Sequence, residues 1–215
     1  MALCCLANNL IAQNTCEAES VPGIQRVYIF NKRDVLGGPR DSCGGKPGYV
    51  NDLSFCSSYT PCGYIIEFEQ QTGKFTQADT TQGQSTPTAL AFEGTIKILN
   101  CADQATLESL YGGQYTCIVL DNAGVWWIAG QVGNLPGFRF SGIQRDSGAA
   151  AADTIVSTLR FEIASIAAKT GGWKLFLAGN EADSFDTRKE LTTQWFRDHV
   201  CSISEATNDC GCAGE

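Results

Sequence analysis

Alternating apolar and polar positions run through most of the chain and predict strands more often than helices. Ile24-Gln-Arg-Val-Tyr-Ile-Phe30, rich in β-branched and aromatic residues and opened by Pro22-Gly23, predicts a first strand. Cys62 to Glu69 predicts a second, with Tyr64, Ile66 and Phe68 on one face and Ile65, Glu67 and Glu69 on the other. A turn at Gln71-Thr-Gly73 feeds Lys74-Phe-Thr-Gln77. The longest alternation spans Leu90 to Leu99: Leu90, Phe92, Ile96 and Ile98 face inward, while Ala91, Glu93, Thr95, Lys97 and Leu99 face a mostly solvated side.

Asp103 to Tyr111 breaks that pattern. Leu107, Leu110 and Tyr111 at helical spacing, closed by Gly112-Gly113, predict a short helix. Tyr115 to Leu120 and Val125 to Ala129 flank Asp121-Asn-Ala-Gly124 as a hairpin. A short strand is predicted over Leu135 to Ile143, a mobile loop over Gln144 to Ala152, and a long strand over Thr154 to Ile166 with Ile155, Leu159, Phe161 and Ile163 inward. Trp173 to Ala178 predicts one more strand, and Asp186 to His199 a helix that presents Leu191, Trp195 and Phe196.

These elements divide the chain into an N-terminal arm (1–22), a mainly β domain (23–178) and a C-terminal helical, cysteine-rich extension (179–215). Inside the domain, Asp34 to Pro61 is dense in turn residues and reads as a long loop of the kind that is usually functional. Trp126 and Trp127 point to opposite faces of one strand. One ring is therefore core, and the other calls for a further layer, either a packed helix or a neighbouring subunit.

Composition narrows the function. The 215 residues are 43% hydrophobic and 18% charged, as expected of a folded domain. The net charge is -8 and no run of lysines or arginines occurs, which argues against gripping nucleic acid. An acidic lining around a passing duplex remains compatible with that charge. No apolar stretch reaches the roughly 20 residues of a membrane span. Met1 to Gln13 lacks the basic region of a signal peptide, so assembly in a cytoplasm is expected.

Catalytic chemistry is thinly supplied, and no enzyme activity is expected. There is one histidine, His199, and no G-x-S-x-G elbow. Glu67 and Glu69 share a strand face, the usual pattern of a solvated or lumen-facing surface, and the paired glycines fit turns rather than phosphate loops. No cofactor is implied. Of eleven cysteines, Cys4, Cys5 and Cys16 sit at one terminus, and Cys201, Cys210 and Cys212 at the other beside His199. They lack C-x-x-C spacing, so zinc is the weaker reading, and disulfides formed after release from the cell are the stronger one. Cys43, Cys56 and Cys62, in or beside the long loop, are further candidates for pairing, whereas Cys117 reads as a buried thiol.

The stretch from Gly63 to about Ile166 resembles the major tail tube proteins of long-tailed bacteriophages. The likeness lies in Tyr64-Ile-Ile-Glu-Phe-Glu69 leading into Gly73-Lys-Phe-Thr-Gln77, in Phe92-Glu-Gly-Thr-Ile-Lys-Ile-Leu99, in the helix Ala102 to Tyr111, in the hairpin Cys117 to Gly130, and in Thr158-Leu-Arg-Phe-Glu162. The resemblance implies a β-sandwich or barrel of two sheets with one flanking short helix. It also implies copies joined into rings, commonly hexamers, that stack into a virion tail tube, contact other tail proteins and let genomic DNA pass without sequence-specific binding. The long loop and arms become the expected subunit contacts, through Asp34, Arg40, Tyr49, Asp52, Phe55, Tyr59, Trp126 and Trp195. The same fold serves tail terminators, head-to-tail adaptors and contractile injection machines. A disulfide-stapled extracellular β-sandwich binding module is the rival from another class.

Overall fold

The computed structural model describes residues 23–38, 50–56, 63–69, 72–80, 87–96, 106–131, 135–146, 156–167, 172–180 and 183–200. The strands are β1 (Ile24–Asn31), β2 (Val35–Gly37), β3 (Ser54–Phe55), β4 (Tyr64–Glu67), β5 (Lys74–Asp79), β6 (Pro87–Ile96), β7 (Tyr115–Asp121), β8 (Trp126–Ala129), β9 (Arg139–Asp146), β10 (Val156–Ala167) and β11 (Lys174–Leu175). A short helix, α1, lies at 106–109, and a long one, α2, at Phe185–His199. A five-stranded sheet of order β11-β8-β7-β1-β4 faces a four-stranded sheet of order β5-β6-β10-β9, and β2 pairs with β3 apart from both. The expected mainly β sandwich is therefore present.

Two apolar cores lie on opposite faces of the five-stranded sheet. Val27, Ile29, Cys117, Val119 and Ala129 enter the core between the two sheets, where they meet Leu90, Phe92, Leu159 and Phe161. Tyr28, Phe30, Ile118, Trp126 and Ile128 enter a second core, covered by Val35, Val50, Leu53, Phe176, Trp195 and Phe196. Burial on both faces explains why β1 and β7 read as nearly unbroken apolar runs. In β10 a register shift between Ile163 and Ile166 turns both side chains to the same core, because the extra residue resets the period of two.

Several expectations change. β9 starts at Arg139 rather than Leu135 and runs through Asp146, into the stretch expected to be a mobile loop. Tyr111 is 55% exposed, although its ring packs on Phe140 at 4.8 Å. In α2 the buried positions are Arg188, Thr192, Trp195 and Phe196, while Leu191 is 40% exposed. The cause is polar. Arg188 donates to Leu177 O at 2.7 Å and Ala178 O at 3.3 Å, and Thr192 Oγ1 accepts from Ala178 N at 2.9 Å. Those backbone groups leave the sheet just after β11, and burying them unpaired would cost more than exposing a leucine.

Lys32, just after β1, is 9% exposed, and burial pushes its amine down from 10.5 to about 8. A lowered lysine penalises the folded state below pH 8, and the penalty fades as pH rises toward 10.5. Against Lys32→Met, the native chain is expected to gain about 2 kcal/mol between pH 7 and 9.5. Urea unfolding of both chains at the two pH values measures this, and a flat difference sinks it.

Candidate functional site

The four-stranded sheet shows two different faces. Its inner face carries Phe75, Phe92, Phe161 and Phe140, which the registers set side by side across all four strands. Its outer face carries mostly small, polar or charged residues. Lys74, Thr76 and Ala78 of β5 are exposed, as are Arg160 of β10 and Arg139 and Ser141 of β9. Across that face Lys74 Nζ pairs with Glu93 at 2.8 Å, and Arg160 pairs with Glu93 and Glu162 at 3.2 Å each. The Lys74 hydrogen bond, aided by the charges of Lys74 and Arg160, holds the Glu93 carboxyl below the usual range. At the other end of β5, Asp79 is lowered mainly by hydrogen bonding to Thr88 and Gln77.

Sheet ends decide what such a fold can join. Among the described residues, β5 and β9 each pair with a strand on one side only, and the start of β9 is tied to the five-stranded sheet where Phe138 bridges Tyr115 of β7 through two hydrogen bonds of 2.8 Å. By contrast, the β11 end of the five-stranded sheet is closed by Val50, which bridges Phe176. An open sheet end is a row of backbone donors and acceptors ready for another strand. Two such ends on one sheet allow head-to-tail joining of identical copies.

The residues expected at subunit contacts fall into three groups. Trp126 and Trp195, each 8% exposed, lie inside the second core, so the layer that covers Trp126 is α2 of the same chain. This corrects the interface reading for both. Asp34 is 7% exposed and its carbonyl accepts from Cys56 N at 3.1 Å, so it too is internal. Asp52 and Phe55 anchor part of the long loop on α2: Asp52 Oδ1 accepts from Trp195 Nε1 at 2.9 Å, and Phe55 stacks on His199 at 5.6 Å. Arg40, Tyr49 and Tyr59 lie outside the described residues.

His199 stacks on Trp195 at 4.3 Å, with Nδ1 2.8 Å from Trp195 O, so the ring is held within the aromatic cluster. Cys56 is in a disulfide. The other candidates for pairing, Cys4, Cys5, Cys16, Cys43, Cys62, Cys201, Cys210 and Cys212, lie outside the described residues. Cys117 is a free, buried thiol, and burial pushes its pKa up. Among the described residues no three of His, Cys, Asp and Glu are placed to hold a metal ion, and no helix is long and apolar enough to cross a membrane.

Comparison with known proteins adds one likeness. A chain in the cryo-EM structure of the anti-feeding prophage baseplate, six-fold symmetrised, matches at 9% identity and TM-score 0.32 over 69% of this chain and 95% of that one. At that score the likeness carries no argument. No family model matches. No curated protein matches either.

Sequence pattern missed the sheet ends and the buried polar pair Arg188 and Thr192. For β9 a signal existed in Phe140 and Ile143, the apolar positions shared with the strand expected over Leu135 to Ile143. For Arg188 there was none, because its partners are carbonyls brought close only by folding.

Proposed function

We propose that this chain is a phage-related structural protein of the tail-tube type, whose copies join through the ends of the four-stranded sheet into rings that stack. The observation that carries the reading is that β5 and β9, among the described residues, each pair along one side only, on a sheet whose outer face bears small, polar and charged residues. Joining β5 of one copy to β9 of the next extends a single sheet around a ring and satisfies both rows of backbone groups. In that arrangement the outer face lines a bore or the outside of the ring. Ion pairs within the protomer would then offset one another's charge, and the chain's net charge of -8 would disfavour adhesion of a passing duplex. Partners in this reading are other copies, other tail proteins and genomic DNA in transit, and the location is the virion tail.

Negative-stain microscopy and light scattering on purified protein test the reading. Native protein is expected to form rings or tubes. Ala78→Lys on β5 and Gln144→Lys on β9, both at exposed edge positions, are expected to yield folded monomers, since edge lysines discourage strand pairing. A native protein that stays monomeric at all concentrations sinks the proposal, and single rings that never stack favour a terminator or adaptor. The Cys56 disulfide favours the rival extracellular binding module. A free-thiol count separates the two, because that rival requires nearly all eleven cysteines to be oxidised in intrachain pairs.

A further inference from the structure

The two cores differ in how their polar atoms are met. Between the sheets, the Tyr115 hydroxyl donates to Leu110 O at 3.1 Å and the Trp173 indole N–H donates to Thr76 O at 3.1 Å. In and beside the second core, by contrast, Asp34 Oδ1, Trp126 Nε1 and both amide atoms of Gln131 are buried without a hydrogen-bond partner among the described residues. Gln131 is the extreme case at 1% exposure, and an enclosed amide that meets nothing is costly. Its place is set by the residue before it. Strict alternation along β8 would send Gln131 to the side of Trp127 and Ala129, toward the core between the sheets. Gly130 intervenes with φ 81°, and a Cβ there would come within 2.8 Å of Tyr115 O, so only glycine fits. Gln131 is thereby turned under the cover of the second core. The point where a Cβ on Gly38 would stand is 2.8 Å from Val50 Cγ1, 3.2 Å from Asp52 O and 3.4 Å from Gln131 Cγ, so the Gln131 stem and the Asp52 carbonyl converge beneath Gly38.

We infer that Gln131 holds an ordered internal water that bridges the end of β8 to the backbone carbonyl of Asp52. The donor set selects the ligand. An anion would meet the two oxygens, Gln131 Oε1 and Asp52 O, and a cation would meet the Nε2 donors, so the site suits a small neutral molecule that both donates and accepts. A water accepts from Nε2–H and donates to Oε1 and to Asp52 O, and three bonds are the usual complement of an internal water. A larger neutral ligand has no route to a side chain enclosed to this degree. The segment that carries Asp52 is then held from two directions, through its carboxylate by the Trp195 indole of α2 and through its carbonyl by the water on β8. Such a clasp belongs to the single protomer and is independent of how copies join.

A high-resolution crystal structure of the full chain, with relaxation dispersion of water oxygen in solution, tests the site. The native map is expected to show a water within hydrogen-bond distance of Gln131 Oε1, Gln131 Nε2 and Asp52 O. Gln131→Leu, which keeps an apolar stem of similar reach and removes the amide, is expected to lose that water and to hold one fewer long-lived water per chain in solution. Gln131→Met replaces it if the leucine variant does not fold, and the native map decides alone if neither folds. A protein group seated on the Gln131 amide in the native map overturns the inference. So does an enclosed amide with no water beside it, or a number of long-lived waters that the substitution leaves unchanged.

Discussion

Replacing Phe161 with alanine is expected to destabilise the protein by about 3–5 kcal/mol, a large part of the roughly 5–15 kcal/mol that holds a typical domain folded. Phe161 is fully buried at the middle of β10. Its ring stacks on Phe92 at 4.7 Å and 9°, tilts against Phe140 at 5.0 Å, and meets Tyr115 edge-on at 6.1 Å. The registers Phe161 to Phe92 and Phe161 to Phe140 make it the centre of the aromatic row across the four-stranded sheet. Truncation removes the side chain and leaves a cavity that three ordered rings cannot fill without moving. Phe161→Leu keeps most of the volume and should cost under about 2 kcal/mol. Chemical denaturation of both variants checks the pair, and a loss below about 1 kcal/mol for the alanine would show that the row is not a packed core.

Trp195→Ala is expected to be as costly, about 3–5 kcal/mol, and to loosen a different part of the molecule. The indole meets Phe176 at 5.0 Å, Phe30 at 5.8 Å and Phe196 at 5.2 Å, and stacks on His199 at 4.3 Å. Its Nε1–H donates to Asp52, which ties α2 to the 50–56 segment. Asp52→Ala alone should cost about 1 kcal/mol, since Leu53 N at 2.8 Å also loses its acceptor. The double variant is expected to be less destabilised than the sum of the two, by about 0.5–1 kcal/mol, because the Trp195–Asp52 bond is lost only once. Proteolysis near residues 50–56 should accelerate in Trp195→Ala. Strict additivity together with unchanged cleavage would mean that the indole does not hold this segment.

Legibility differed between the two cores. Phe92, Leu159, Phe161 and Ile163 all lie where strand alternation put them, because a sheet with one wet face and one dry face writes its period into the chain. The second core is assembled from segments far apart in sequence. Val50, Leu53 and Phe55 sit in a stretch whose glycines and prolines read only as loop, yet Val50 and Leu53 are 0% and 3% exposed. Trp126 was ambiguous between a helix and a neighbour as its cover, and a strand pattern cannot say which. Likewise Arg188 reads as a surface cation until the carbonyls of Leu177 and Ala178 arrive beside it.

By itself the amino-acid sequence determined the class of the fold, the faces of its longest strands, the β7–β8 hairpin and the position of α2. Period, turn chemistry and capping act over a few residues and need no distant partner. Tertiary structure decided which strands lie at the ends of the sheets and which aromatic rings lie inside the fold. Whether a strand is central or terminal, and whether a tryptophan meets a helix or solvent, depends on segments more than a hundred residues away, as with Asp52 and Trp195. The one-sided pairing of β5 and β9 among the described residues is a property of strand order, and strand order is set by the packing of whole sheets rather than by any local pattern.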